Sequence, residues 1–133
     1  MKSAKLLDSF AVVKYILAEP GGDRVLGFIS EARRSEQPLL LSEINAGEVF
    51  YVIAKRFGLA KAEEVLTLFS TLPIRMVPVS WELILQAARL KAQFALSYAD
   101  CIAAACAMAH QAVLVTGDKE FRSIQHLVRV EWI

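Results

Sequence analysis

Four carboxylates in this chain stand where a carboxylate can do chemistry. Asp8 ends the apolar run Leu6-Leu7 and is followed by a hydroxyl, Ser9. Asp118 follows a second such run, Val113-Leu114-Val115-Thr116-Gly117. Glu48 and Asp100 each come three residues after a residue suited to start a helix, Asn45 and Ser97. Asp100 is flanked by Tyr98-Ala99 and by Cys101-Ile102-Ala103-Ala104-Ala105, with no cation nearby in sequence. Each acid taken singly also has an ordinary reading. Asp8 suits a turn or helix cap at a strand end, and Thr-Gly-Asp suits a turn. Cap-x-x-acid is the capping box or a variant of it, and the helix dipole favours an acid in the first turn. Their joint placement points further. Carboxylates gathered at one sheet edge raise one another's pKa. A hard divalent cation, Mg²⁺ or Mn²⁺, relieves that repulsion through oxygen ligands.

Other metal and nucleophile chemistry finds little support. His110 and His126 are isolated and lack ligand spacing, so they read as surface or helix-end residues. Cys101 and Cys106 lie five apart inside a helical pattern, neither CxxC nor a disulfide framework. They read as small core-filling residues in a reducing compartment.

The elements that must position these acids follow from periodicity. Residues 4–8 read as a short buried strand. Helical spacing follows over 9–18, with Phe10, Val13 and Leu17 on one face, and Pro20-Gly21-Gly22 stops it. A second helix runs from Asp23 to about Ser35, with Val25, Leu26, Phe28, Ile29 and Ala32 toward a core. Leu39-Leu40-Leu41 is a second strand. Asn45 opens a third helix with the stripe Val49, Phe50, Val52, Ile53 and Phe57, and Gly58 ends it. A fourth helix spans Leu59 to Leu72. Residues 74–79 form a third strand, where Pro78 marks a strand end or an edge. Ser80 caps a fifth helix. Ser97 begins a sixth, alanine-rich one to about Gln111, whose small side chains predict burial against the sheet. Ala112 to Thr116 is the fourth strand, Phe121 and Ile124 mark a short helix, and residues 127–133 form a last strand. Strands separated by helices imply parallel pairing with helices on both faces, an α/β sandwich. The pattern leaves the strand order open.

The 133 residues, 56% of them hydrophobic, imply one domain over 1–133 with a sizeable core. No apolar run reaches the roughly 20 residues needed to cross a bilayer. The basic start Met1-Lys2-Ser3-Ala4-Lys5 is too soon interrupted by Asp8 and Lys14 for a signal peptide, so a cytoplasmic location is expected. A net charge of +1 means that any nucleic-acid affinity must come from local patches. Lys14, Lys55, Arg56, Lys119 and Arg122 are the candidates for phosphate contacts.

Leu6-Leu7-Asp8-Ser9, the Asn45-x-x-Glu48 helix start, Ser97-Tyr98-Ala99-Asp100-Cys101-Ile102-Ala103-Ala104 and Val115-Thr116-Gly117-Asp118-Lys119-Glu120-Phe121 together resemble the PIN-domain family, in order and spacing. The match covers essentially the whole chain. Its size most resembles the VapC-type ribonuclease toxins of prokaryotic toxin–antitoxin pairs. The resemblance implies a three-layer α/β/α sandwich with a central parallel sheet and Mg²⁺- or Mn²⁺-dependent cleavage of RNA phosphodiesters. It makes Asp8, Glu48, Asp100 and Asp118 the acidic, metal-holding set, with Thr116 and Ser9 as supporting hydroxyls. It also implies a homodimer and a small antitoxin covering the acidic groove. Asn45 departs mildly from the family, standing where Ser or Thr is usual.

Two rival readings have distinct signatures. A non-catalytic PIN-like module would bind RNA or protein and use the acids weakly. A phospho-acceptor receiver domain also collects acids at strand ends, typically paired acids near its first strand and a single acid after a central one; here the second strand is followed by Ser42-Glu43 and the third by Ser80, so that pattern fits poorly. The first helix carries more apolar surface than a small sheet covers, with Phe10, Val12, Val13, Tyr15, Ile16 and Leu17. That surplus suits core packing, a groove for an antitoxin helix, or a dimer contact.

Overall fold

The computed structural model describes residues 3–133. Met1 and Lys2, part of the basic start noted above, lie outside the described residues. Five strands form one sheet: β1 (Lys5–Leu7), β2 (Leu39–Ser42), β3 (Ile74–Val77), β4 (Val113–Thr116) and β5 (Val130–Trp132). Every pairing is parallel, in the order β3-β2-β1-β4-β5. The helices are α1 (Ser9–Ile16), α2 (Gly22–Ser35), α3 (Glu43–Phe57), α4 (Leu59–Thr71), α5 (Trp81–Gln93) and α6 (Tyr98–Ala109), with a 3₁₀ helix at Lys119–Ile124.

The order explains the layers. From β1 the chain steps outward to β2 and β3, then returns to the other side of β1 for β4 and β5. Parallel crossovers are right-handed, so reversing the direction of travel sends the connecting helices to the opposite face. Leu7, Leu39, Leu41 and Val115 accordingly pack with α1–α4 residues such as Val12, Ile29, Ile53 and Phe69. Leu6, Leu40, Val77 and Leu114 pack with α5, α6 and the 3₁₀ helix. The alternation of Leu6 and Leu7 between faces is the two-residue period of a strand. This is the expected three-layer α/β/α sandwich. The alanine-rich α6 lies buried as expected, every residue from Asp100 to Ala107 included. Cys101 and Cys106 are free and buried in it, and burial pushes the Cys106 thiol up to about 11, which suits an inert core residue. Pro78 follows the edge strand β3.

Some boundaries and faces differ from the sequence reading. Ser42, not Asn45, caps α3, its hydroxyl accepting from the Asn45 N–H at 3.0 Å. Strand β2 runs directly into the helix, so the last strand residue takes the capping role. Leu26 and Phe57, assigned to apolar stripes, are about half exposed. Each sits at the margin of its stripe, where the helix turns away from the sheet. The last strand is confined to Val130–Trp132, because residues 125–127 are still turning out of the 3₁₀ helix.

Candidate metal centre

β1 and β4 are neighbours, yet the chain leaves them toward opposite sides of the sheet. Such a reversal opens a crevice at the carboxyl ends of the strands, where ligands bind in open α/β sheets. Asp8 follows β1 and Asp118 lies just beyond β4, so the topology itself brings these two acids together. α3 leaves β2 at that same edge, and α6 runs back against the sheet so that its first turn also lies there. These helix starts deliver Glu48 and Asp100.

The sequence placed Glu48 in the first turn of its helix. With Ser42 as the cap, Glu48 lies in the second turn, which removes the capping-box explanation for its carboxylate. Asp100 does stand in the first turn of α6, and Ser97 caps its N–H at 3.1 Å. Asp8 is itself the cap of α1, its Oδ1 accepting from the Ala11 N–H at 2.8 Å. Asp118 caps the 3₁₀ helix through the Glu120 N–H at 3.0 Å. Three of the four acids therefore combine a helix-start role with a place in the cluster.

Both expected supporting hydroxyls touch the acids. The Thr116 hydroxyl donates to Asp8 Oδ2 and accepts from the Asp118 N–H at 2.9 Å, joining the two strand-end acids. The Ser9 hydroxyl donates to Glu48 Oε1, while the Tyr51 hydroxyl lies 3.4 Å from Glu48 Oε2. Asn45 is wholly buried. Its amide donates to the Ala99 carbonyl at 3.1 Å and its Oδ1 accepts from the Ser42 hydroxyl at 2.5 Å, so it ties α3 to the residue before Asp100.

The four acids form two levels. Asp8 is buried at 1% exposure beneath an open cleft of about 360 Å³, whose walls include Ser9, Glu48, Asp100 and Asp118. Burial pushes the Asp8 carboxyl up to about 7; the Thr116 hydroxyl and the Ala11 N–H hold it down, and the charges of Asp118 and Glu48 raise it. Asp100 is pushed well above the usual carboxylate range, first by burial and then by the charge of Asp118 and a hydrogen bond with it. Crowded, partly desolvated carboxylates resist ionising together, and an all-oxygen group of this kind is compatible with a divalent cation.

A fifth acid belongs here that the sequence reading left out. Ligand oxygens of Asp100, Asp118 and Glu120 lie within 4.8 Å of one another. The signal was the Asp118-x-Glu120 spacing. A turn closed by the Asp side chain folds the residue two places on back toward it. Among the described residues no His or Cys joins this group. His110 caps the end of α6 and is exposed, as is His126, whose ring packs tilted by 60° against Phe94 with ring centres 5.9 Å apart. Of the candidate cations, Lys14 and Arg56 line the cleft. Lys55, Lys119 and Arg122 are exposed and lie outside its walls.

A parallel α/β/α sandwich with acids converging at its topological reversal defines the class of protein. The PIN domain family model matches residues 5–127, and the chain belongs to that family. Solved structures similar to it include DNA-bound VapBC from Salmonella typhimurium (TM-score 0.76, 18% identity, 98% of each chain covered). VapBC2 from Rickettsia felis, bound to a DNA fragment from its promoter, is similar at TM-score 0.74 and 18% identity over 98% of each chain. VapC20 of Mycobacterium tuberculosis, a sarcin–ricin-loop-cleaving toxin, matches at TM-score 0.69 and 14% identity, covering 90% of this chain and 94% of its own. These likenesses are of fold. A comparison with curated proteins finds no match.

Proposed function

We propose that the protein is a Mg²⁺- or Mn²⁺-dependent endoribonuclease, the toxin of a VapC-type toxin–antitoxin pair. The observation that carries this reading is the crowding of Asp100, Asp118 and Glu120 above buried Asp8 at the β1/β4 reversal of a PIN fold. The donor set is all oxygen, which fits a hard divalent ion and gives zinc no soft ligand. Asp8, Asp100, Asp118 and Glu48 would hold the ion directly or through water, with Glu120 as an additional donor. When bound, the ion supplies positive charge that eases proton loss from water and offsets charge building on the phosphate oxygens.

The protein's own groups do the rest. Glu48, held by the Ser9 hydroxyl, would orient the attacking water and accept its proton. Water oxygen bonds to phosphorus, the opposite P–O bond breaks, and the leaving oxygen takes up a proton. Thr116 fixes the rotamer of Asp8 and the backbone of Asp118, so both acids keep their aim when the site ionises. Lys14 would meet substrate phosphate in the cleft. Lys119 and Arg122 would meet it further out along the strand.

The reading includes a cytoplasmic, homodimeric protein, folded as one domain over 1–133, and a small antitoxin. Among the described residues no helix is long and apolar enough to cross a membrane. An apolar groove of about 340 Å³, walled by Ile16, Leu17, Ile53, Phe57, Val65 and Leu68, suits one face of an antitoxin helix. The similarity to VapBC assemblies supports that partner.

The test is cleavage of total RNA by purified protein. Activity should appear with Mg²⁺ or Mn²⁺, vanish with EDTA, and vanish in Asp100→Asn. Metal-independent cleavage, or full activity in that variant, overturns the proposal. Metal binding with no cleavage of any RNA would favour the non-catalytic binding module instead.

A further inference from the structure

The cleft carries a second pole that the acid cluster does not use. Lys14 and Arg56 line the same cleft as Glu48, Asp100 and Asp118, and Glu19 spans them. Lys14 Nζ lies 3.5 Å from Glu19 Oε1, and Arg56 Nη2 lies 3.6 Å from Glu19 Oε2. Both separations exceed the usual 2.7–3.2 Å of an N–H···O hydrogen bond. The side chains are between 27% and 48% exposed, so these are loose ion pairs that contribute little to stability. The turn holds Glu19 in place: its N–H donates to the Lys14 carbonyl at 3.0 Å and its carbonyl accepts from the Gly22 N–H at 2.9 Å. A carboxylate fixed weakly between two cations in a cleft occupies the place of an anionic ligand that could make stronger, charge-assisted bonds to both.

An aromatic ring belongs to the same cleft. Lys14 Nζ stands 5.0 Å from the centre of the Phe10 ring, and Phe10 lines the cleft. The ring rests on the backbone next to Asp118, since a Cβ on Gly117 would come within 2.4 Å of Phe10 Cε1. Acids, an aromatic face and a cation pair thus share one open cleft. That combination matches a nucleic acid strand, whose charge repeats at each phosphate and whose bases present flat faces.

We propose that Lys14 and Arg56 form a subsite for a phosphate adjacent to the scissile one, with Phe10 packing against the nucleoside between them. Glu19 is the placeholder that RNA displaces on binding. The inference rests on the ribonuclease reading for the site of cleavage, but not for binding. The ligand is single-stranded RNA, because only an unstacked base offers its face to Phe10. Glu19 therefore tunes affinity: it keeps the cation pair aimed into the cleft and sets a threshold that weakly bound anions do not pass.

The test uses fluorescence anisotropy with a labelled 12-nucleotide single-stranded RNA in EDTA, so that nothing is cut, together with melting temperatures and steady-state cleavage in Mg²⁺. Glu19→Gln should tighten RNA binding by about threefold, the size expected when a partly exposed ion pair is removed. The double variant Lys14→Met, Arg56→Met should weaken it by about tenfold and reduce the slope of log affinity against log salt by about 1. Phe10→Leu should weaken the single strand and leave a duplex of the same sequence unaffected. In Mg²⁺ these changes should fall more on KM than on kcat. If Glu19→Gln lowers the melting temperature and leaves RNA affinity unchanged or weaker, Glu19 is a structural pin and the proposal fails. Unchanged affinity in the double variant while the wild type still cuts RNA removes the subsite and leaves the nuclease reading standing. RNA binding that responds as expected without any cleavage keeps the subsite and removes the nuclease. A wild type that binds no RNA in EDTA and cuts none in Mg²⁺ overturns both.

Discussion

The Asn45 side-chain amide donates to the Ala99 carbonyl at 3.1 Å, tying the first turn of α3 to the first turn of α6 one residue before Asp100. This bond spans 54 residues of sequence and is fully enclosed at the Asn45 end. Asn45 is therefore not a helix cap but a clamp across the acidic edge. Asn45→Ala leaves the Ala99 carbonyl without its amide partner and the Ser42 hydroxyl without its acceptor. Losing such buried bonds costs about 1–3 kcal/mol. Chemical denaturation should show that loss, and cleavage assays should show a larger fall in kcat than in substrate affinity. Asn45→Ser, too short to reach Ala99, should not recover it.

Thr116 couples the two strand-end acids through a single oxygen. Thr116→Val keeps the shape, removes the donor to Asp8 Oδ2 and removes the acceptor for the Asp118 N–H. Cleavage should drop by at least about tenfold, in line with loss of a partner that orients a metal-binding carboxylate. Thr116→Ser should restore most of it. Equal activity in the valine variant would show that neither acid depends on this hydroxyl.

The raised carboxyls set a pH dependence in metal-free protein. The Asp8 pKa is about 7 when folded and 3.8 ordinarily. Between those values the folded state holds a proton that the unfolded chain has released. Stability from this group therefore falls as pH rises from about 4 to about 7 and levels off above. Asp8→Asn removes the penalty. Its stabilisation should vanish near pH 4 and reach about 4 kcal/mol above pH 7, at 1.36 kcal/mol per unit. Urea unfolding in EDTA across that range measures it. Added Mn²⁺ should stabilise the wild type most at the alkaline end, where the acids are ionised and ready to bind. A variant less stable than the wild type at pH 8 would contradict this account.

Two glycines differ in what surrounds them. A Cβ on Gly22 would lie 2.3 Å from the Lys14 carbonyl oxygen, which is backbone and cannot move away without distorting α1. Gly22→Ala should cost about 2–3 kcal/mol, the scale of overpacking. A Cβ on Gly117 meets chiefly the edge of the Phe10 ring. Gly117→Ala should cost less in stability and more in RNA binding, because the ring shifts within the cleft. Adding Phe10→Ala should recover the stability. Thermal melts of the three variants separate the two effects.

Much of this molecule was legible in the linear chain, for local reasons. Leu6-Leu7 and Val113-Leu114-Val115 announce buried strands, Ser80 and Ser97 announce helix starts, and the alanines after Asp100 announce close packing against a sheet. Those signals depend on residues a few places apart, and periodicity exposes them. The ordered acids Asp8, Glu48, Asp100 and Asp118 were likewise visible, because each interrupts an apolar stretch or follows a helix start.

The rest depended on contacts between distant segments. The order β3-β2-β1-β4-β5 is set by which strands pair, and no local pattern encodes that choice. That order alone puts Asp8 and Asp118 side by side at the reversal. Asn45 looked like a cap because Asn is a good cap. Its actual role exists only because α6 passes within reach of its amide. Glu120 looked like surface until the Asp118 turn folded it toward Asp100. Glu19 gained meaning only when α3 brought Arg56 beside Lys14. The sequence by itself determined the elements and the candidate acids, since periodicity and capping are properties of neighbouring residues. The tertiary structure decided which acids meet, which are buried deeply enough to resist ionising, and which cations face them, because distance and desolvation arise only when remote segments pack.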